Sequence, residues 1–152
     1  MTSSLVGSEM CIRDRAMADQ YHKDVNFCYD RKEVKDHGEG GMFVGKKLTD
    51  GEKVVIIEDV MTSGKAMAEV YPKLKGAADV DITGMIITVD RMERALEGTQ
   101  SAVQAVYEKY GVPVYAIVTM EDIIQGIRDG IIPGKEHLDA MLAYREQYGV
   151  SK

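Results

Sequence analysis

Glu58 and Asp59 stand side by side after the unbroken branched run Val54-Val55-Ile56-Ile57. The small-residue stretch Thr62-Ser63-Gly64-Lys65-Ala66 follows them, beyond Val60-Met61. A branched run of this kind suits a central parallel strand buried on both faces. In an open α/β sheet, ligands bind beyond the carboxyl ends of the strands, which is where this segment leaves the sheet. Thr62 to Ala66 reads as a turn into a helix, whose amides and positive dipole end make a phosphate cradle. Gly64 lets the backbone approach a ligand closely. Two adjacent carboxylates would repel a phosphate. They suit the hydroxyl groups of a sugar, which donate hydrogen bonds to carboxylates, or a divalent cation. A sugar phosphate held by acids at one end and amides at the other satisfies both halves. A nucleotide-binding P-loop does not fit: it needs glycine five positions before Gly64 and Ser or Thr after Lys65, where this chain has Asp59 and Ala66. Taken alone, a polar strand end followed by a helix cap would account for the same residues.

The elements around this segment alternate. Val25 to Tyr29 is aromatic and branched, as a strand requires. Asp30 to Gly41 is charged and ends in Gly38-Glu39-Gly40-Gly41, which is loop chemistry. Gly51 breaks the chain before the Val54 run. Ala66 to Lys75 reads as a helix closed by Gly76, with Pro72 expected to kink or shorten it. Ile82 to Val89 is a second buried strand, Ser101 to Tyr110 a helix ending at Gly111, and Val112 to Val118 a third strand. Thr119 offers an N-cap with Asp122 three residues on, opening a helix from Glu121 to Arg128. An amphipathic helix closes the chain from about Lys135 to Tyr148. Strands and helices at this spacing give an α/β fold with a parallel sheet flanked by helices.

Composition narrows the function classes. The net charge of −6 from 19 basic and 25 acidic side chains opposes nucleic-acid binding. The basic cluster Arg31, Lys32 and Lys35 is interleaved with Glu33 and Asp36, and suits a small anion better than a polyanion. No apolar stretch nears the roughly 18 residues that span a bilayer, so no membrane role is expected. Cys11 and Cys28 have neither disulfide-framework nor zinc spacing, and no protein-held metal is expected. That cysteine usage fits the cytoplasm. His22 and His137 belong to no motif and read as surface residues. Residues 1–15 (MTSSLVGSEMCIRDR) have neither helical nor strand periodicity and no signal-peptide pattern. They resemble translated adapter sequence, so a non-native leader over residues 1–15 and a domain over 16–152 are expected.

Three segments carry a resemblance to a known family. The branched strand, two acids and Thr-containing glycine loop at Val54 to Ala66 resemble the diagnostic segment of the type I phosphoribosyltransferases. Arg31-Lys32-Glu33-Val34-Lys35-Asp36-His37-Gly38-Glu39-Gly40-Gly41 is similar to the mobile catalytic loop of their orotate branch. Val89-Asp90-Arg91-Met92-Glu93-Arg94 resembles the strand end that carries that branch's orotate-contacting arginine. The similarity extends through Ala143 to Val150 and covers about residues 17–150.

The resemblance implies transfer of phosphoribose from phosphoribosyl pyrophosphate to orotate. It also implies magnesium bound mainly through the substrate, and a homodimer in which loop 31–41 serves the partner's site. By the same likeness, Glu58 and Asp59 hold the ribose hydroxyls. Val60, Met61, Thr62, Ser63, Gly64, Lys65 and Ala66 form the 5′-phosphate loop, and Thr62 and Arg91 contact orotate. Lys32, Lys35 and His37 close over the pyrophosphate, with Arg31 near the same group. Lys32, Lys35, His37 and Asp59 are the candidate catalytic residues. The competing readings are a transferase for another base and a regulator that senses phosphoribosyl pyrophosphate without turnover. Loop 31–41 and Arg91 argue against the first, and a sensor would have little reason to retain Lys32, Lys35 and His37 together.

The family's N-terminal region, with an apolar orotate-covering loop, a lysine and a first strand, is not recognisable before Val25. A sheet missing its N-terminal part would lose a central strand. The 152-residue chain is therefore expected to be poorly soluble or inactive alone, and robust orotate turnover by it in a spectrophotometric assay would refute that.

Overall fold

The computed structural model describes residues 2–5, 10–30, 42–95 and 98–150. In chain order these form β1 (Thr2–Leu5), α1 (Met10–Tyr21), β2 (Phe27–Asp30), β3 (Phe43–Gly45), β4 (Lys53–Met61), α2 (Lys65–Ala77) and β5 (Asp81–Asp90). Then come α3 (Ala102–Tyr110), β6 (Val114–Thr119), α4 (Met120–Arg128), a 3-10 turn (Lys135–His137) and α5 (Leu138–Tyr148). The strands follow the order β3-β2-β1-β4-β5-β6 in one sheet. β1 is parallel to both β2 and β4, pairing Leu5 with Cys28 on one side and Ile56 on the other. β3 runs antiparallel to β2. The fold class is the α/β one expected, with parallel strands and helical connections.

Sequence reading set residues 1–15 outside the fold, whereas Thr2–Leu5 pairs within the sheet. Thr2–Leu5 lies between β2 and β4. A strand in that slot gains backbone partners on both edges, and such pairing does not require a side-chain pattern of its own.

The described residues group into two compact units, Met1–Ile57 with Ala68–Met85, and Glu58–Met67 with Ile86–Lys152. In the first, Cys28, Leu48, Val54, Ile56, Leu74, Val80, Ile82 and Met85 are buried. Glu52, buried there as well, accepts from Lys46 Nζ and, at 3.3 Å each, from Thr49 N–H and the Thr49 hydroxyl. A carboxylate taken out of water needs that full set of donors. Gly51 turns the chain at φ +75°, donating its N–H to the Asp79 carbonyl at 2.9 Å. In the second unit, Met61, Met67, Ile87, Ala102, Val106, Val112, Ile124 and Ile127 are buried.

Several boundaries differ from the sequence reading. β4 extends past Ile57 to Met61, so Glu58 to Met61 are strand, not loop. Val54 and Ile56 are buried while Val55 and Ile57 are half-buried, so β4 is not sealed on both faces. α2 neither stops at Lys75 nor breaks at Pro72. Pro72 and Ala68 both lie on its exposed side, where water can satisfy the Ala68 carbonyl that the proline leaves without a donor. Gly76 is not the cap. α2 runs through it to Ala77, the Ala78 N–H donates to the Leu74 carbonyl at 3.2 Å, and Lys75 Nζ donates to the Val80 carbonyl at 2.6 Å and to Asp79 at 3.0 Å just beyond the helix.

The other cap signals hold. Ser101 with Gln104 and Thr119 with Asp122 form reciprocal capping boxes, and Gly111 closes α3 at φ +67°. The closing helix differs: Lys135–His137 is a 3-10 turn, α5 begins only at Leu138, and none of its residues is fully buried, so the amphipathic helix expected from about Lys135 is shorter and has no buried stripe. His22 and His137 are exposed.

Burial, then the nearby Glu52 charge, pushes the Cys28 thiol up to about 12, against a lesser pull from Lys46. An acid raised on folding contributes stability that is present below its unfolded value and lost as pH rises toward its folded one. In a Cys11→Ser background, Cys28 is therefore expected to resist a thiol reagent at pH 8 until urea unfolds the chain. Stability in urea melts should fall between about pH 9 and the folded value of about 12. Because Cys28 pairs with Leu5, deleting residues 2–5 should make the thiol reactive without denaturant. Unchanged protection would mean that β1 does not occupy its slot.

Candidate functional site

The strand-acid-acid-turn-helix segment and Arg91 fall in the same compact unit. Glu58 and Asp59 occupy the last turns of the β4 pleat, Glu58 half-buried and Asp59 exposed. Their carboxylates lean onto the backbone. Asp59 Oδ1 accepts from the Val60 N–H at 2.6 Å, and Glu58 Oε1 from the Asp59 N–H at 3.3 Å. Asp59 thus uses one oxygen locally, which orients a carboxylate whose remaining lone pairs can accept from hydroxyl donors.

Thr62, Ser63 and Gly64 carry the chain from β4 into α2, whose first residues are Lys65 and Ala66. The first amides of a helix have no intrahelical acceptor, and the aligned peptide dipoles add a partial positive charge there. No acidic side chain occupies this first turn. The exposed Lys65 adds a cation at the same end.

Gly64 takes φ +81°, and a Cβ there would meet Val106 Cγ2 at 3.4 Å and the Ala102 carbonyl at 3.9 Å. The glycine is therefore required by backbone conformation, since a Cβ there would make only ordinary contact with α3.

Arg91 follows β5 directly. Its N–H donates to the Met61 carbonyl at 3.4 Å, which sets the arginine beside the residue before Thr62. The turn around it is unusual: Met92 is left-handed at φ +57°, held by its N–H donating to Asp90 Oδ1 at 2.8 Å. Burial pushes the Asp90 carboxyl above its ordinary value, with that N–H pulling the other way.

The guanidinium is tied down as well. Arg91 Nε pairs with Glu93 Oε1 at 2.9 Å, and Nη2 donates to the Tyr144 hydroxyl. The Tyr144 O–H in turn donates to Glu93 Oε1 at 2.6 Å. The ring also lies under the arginine, 4.9 Å from its central carbon. Sequence reading assigned no role to Glu93 or Tyr144. Glu93, two residues beyond Arg91, was the available signal, whereas Tyr144 is distant in the chain and offered none.

Of the expected site residues, Glu58, Asp59, Val60, Met61, Thr62, Ser63, Gly64, Lys65, Ala66 and Arg91 thus share one unit. Arg31, Lys32, Lys35 and His37 lie outside the described residues. Among the described residues no three acidic, histidine or cysteine side chains cluster to hold a metal ion.

The model of the phosphoribosyl transferase domain matches residues 12–113, which include both the acid pair and Arg91. The chain belongs to the phosphoribosyl transferase domain family. Its relatives include the orotate phosphoribosyltransferase of Lachnoclostridium phytofermentans, 42% identical over 140 residues, covering 89% of this chain and 62% of the relative. That of Agathobacter rectalis is 47% identical over 135 residues, covering 85% and 60% respectively. This phosphoribosyltransferase-family chain therefore spans about 60% of the length of these curated relatives. The crystal structure of orotate phosphoribosyltransferase from Francisella tularensis superposes with a TM-score of 0.73 at 29% identity. That match takes in 97% of this chain and 69% of the other. No helix among the described residues is long and apolar enough to cross a membrane.

Replacing Gly64 by alanine would place an ordinary residue in the left-handed region, which costs about 1–2 kcal/mol. Urea denaturation of Gly64→Ala should register a loss of that order, and its affinity for inorganic phosphate should fall in parallel. A neutral substitution would mean that the turn is not held in the geometry described.

Proposed function

We propose that this protein, over the length its relatives span, is an orotate phosphoribosyltransferase of pyrimidine biosynthesis. It would transfer phosphoribose from phosphoribosyl pyrophosphate to orotate, releasing pyrophosphate and forming orotidine 5′-monophosphate. The observation that carries the reading is the Arg91 N–H on the Met61 carbonyl. It supports the reading by bringing the backbone of Arg91, a residue suited to an acidic base, beside the strand end that leads into a turn suited to a sugar phosphate.

In this reading the 5′-phosphate sits on the amides from Thr62 to Ala66, where the helix dipole favours negative charge. Glu58 and Asp59 accept hydrogen bonds from the two ribose hydroxyls and so fix the sugar ring over the strand end. Thr62 and Arg91 hold orotate. The bond from the anomeric carbon to pyrophosphate breaks with its electron pair leaving on the pyrophosphate. The ring nitrogen of orotate, which gives up its proton, forms the new bond.

Positive charge grows on the sugar and negative charge on the leaving group. Lys32, Lys35 and His37, with Arg31 near the same group, stabilise the latter if they close over it, as preorganised charges do. His37 can also protonate the leaving oxygen. Glu58 and Asp59 place negative charge near the sugar at the same moment.

Magnesium fits this donor set as a substrate-borne ion. It prefers one or two carboxylates plus phosphate oxygens and water to a cage made wholly of protein, and two carboxylates are what the strand end offers. A homodimer with loop 31–41 shared across subunits completes the proposal. The thiol of Cys28, which is not in a disulfide, supports a reducing cytoplasmic setting.

Calorimetric titration of the chain with magnesium phosphoribosyl pyrophosphate tests the assignment. Hydrogen bonds to a charged group contribute about 1.5–3 kcal/mol, so Asp59→Asn should weaken binding by about tenfold or more, and chelating the magnesium should abolish it. Equal affinities for the wild type and Asp59→Asn would sink the sugar-binding role.

A further inference from the structure

Arg91 is unusual among the described arginines in having two of its three guanidinium nitrogens engaged by side chains of its own unit. Nε faces Glu93 Oε1 at 2.9 Å and Nη2 faces the Tyr144 hydroxyl. Five N–H donors in a fixed plane make up a guanidinium. With one donor on Nε and one on Nη2 used, the edge between Nη1 and Nη2 still presents a parallel pair. That pair matches the spacing of a carboxylate's two oxygens. A single anchor would leave the plane free to swing. Two anchors on different nitrogens, with an aromatic ring beneath, fix both its direction and its tilt.

The anchors are themselves anchored. Glu93 and Gly149 form an antiparallel bridge, and the Arg94 N–H donates to the Tyr148 carbonyl at 2.9 Å. The Val150 N–H returns to the Met92 carbonyl at 3.3 Å, and Arg94 Nη2 donates to the Gln147 carbonyl. On the other side the Ala102 N–H donates to the Glu93 carbonyl at 3.0 Å. The segment after β5 is thus stitched to the end of α5, the helix that carries Tyr144. Arg145, next to Tyr144, pairs with Glu121 of α4 at 3.4 Å, which fixes α5 in turn.

We propose that Tyr144 and Glu93 are positioning residues that aim the Arg91 fork at the carboxylate of the acceptor base, so that α5 sets selectivity for a planar, acidic pyrimidine. The inference rests on the reading of Arg91 as the base contact. Its chemistry is that of a preset fork. Glu93 balances the arginine's charge while no ligand is bound, and the hydroxyl of Tyr144 relays between the two by accepting from Arg91 and donating to Glu93. A neutral base gains nothing from such a fork, because it cannot accept the pair of parallel bonds.

The test uses the whole chain with Tyr144→Phe, Glu93→Gln and Arg91→Ala variants, and two readouts. The first is the nitrogen-15 signal of the Arg91 side-chain Nε–H. It should be slow to exchange with water in the wild type and fast in Tyr144→Phe and Glu93→Gln, with the backbone amide spectrum otherwise preserved. Fast exchange already in the wild type, or no change in either variant, overturns the positioning role.

The second readout is calorimetric affinity for orotate and, separately, for magnesium phosphoribosyl pyrophosphate. Tyr144→Phe should weaken orotate by about tenfold, the scale of one hydrogen bond to a charged group, and leave phosphoribosyl pyrophosphate within about twofold. A merely structural tyrosine would move both together, which also overturns the proposal. The two readings fail differently. If Arg91→Ala leaves orotate affinity unaltered, or the wild type does not bind orotate, the base-contact reading falls and takes the selectivity claim with it. If Arg91→Ala weakens orotate but Tyr144→Phe does not, only the positioning claim falls.

Discussion

The chain has to pass from β4 to α2 within Thr62, Ser63 and Gly64, and that short passage is the constraint on which the site depends. A left-handed Gly64 at φ +81° reverses the backbone quickly enough for the helix to begin at Lys65. The outcome is a fixed spacing between two unlike binding surfaces, carboxylate oxygens at the strand end and amide hydrogens at the helix start. A longer connection would let the two drift apart, and a ligand bridging them would then have to supply the ordering entropy itself. Because the extended strand reaches Met61, the acid pair sits on regular pleated backbone, which is a stiffer platform than a loop.

Arg91 is added to that platform from a second strand end, and it is held with more machinery than the acids are. Asp90 keeps Met92 in a conformation that non-glycine residues rarely adopt, and Glu93 and Tyr144 hold the guanidinium itself. Strained turns persist only where their surroundings over-determine them. Here the surroundings are the end of α5 and the start of α3, joined to the segment by backbone bonds on both sides. α5 has no fully buried residue, so its place in the unit owes more to these polar ties than to a packed apolar stripe.

Legibility in the sequence followed the source of each element's stability. β4, β5, α3 and α4 are specified by their own residues: branched runs, capping boxes at Ser101 and Thr119, and Gly111 at a left-handed cap. The acid pair and the glycine turn were legible for the same reason, since their chemistry is local. β1 was not, because Thr2–Leu5 becomes a strand through pairing with β2 and β4 and has no alternation to announce it. Nor was α1, whose residues from Arg15 to Tyr21 are exposed or half-exposed and so lack a 3.6-residue apolar period. Gly76 misled because glycine after a periodic run usually caps a helix, whereas α2 runs through it to Ala77. The support under Arg91 was invisible from Tyr144 alone, since two residues 53 positions apart meet only once the chain has folded.

The charge balance shows why the site has to be built from short-range parts. A chain of net charge −6 repels a phosphorylated anion at long range, but at physiological salt that field is screened beyond about 8 Å. Inside that distance the sign is decided by what the ligand touches. In the proposed reading, helix amides and Lys65 would serve the phosphate and Arg91 the base, while hydroxyl donors would sit on Glu58 and Asp59. The acids are therefore not an electrostatic error corrected elsewhere. In that reading their negative charge would lie near a sugar that turns cationic as its leaving group departs, and the same charge would oppose phosphate binding if it were moved one turn toward the helix. The order of residues along β4 and into α2, acid before glycine before amide, is what keeps those two effects apart.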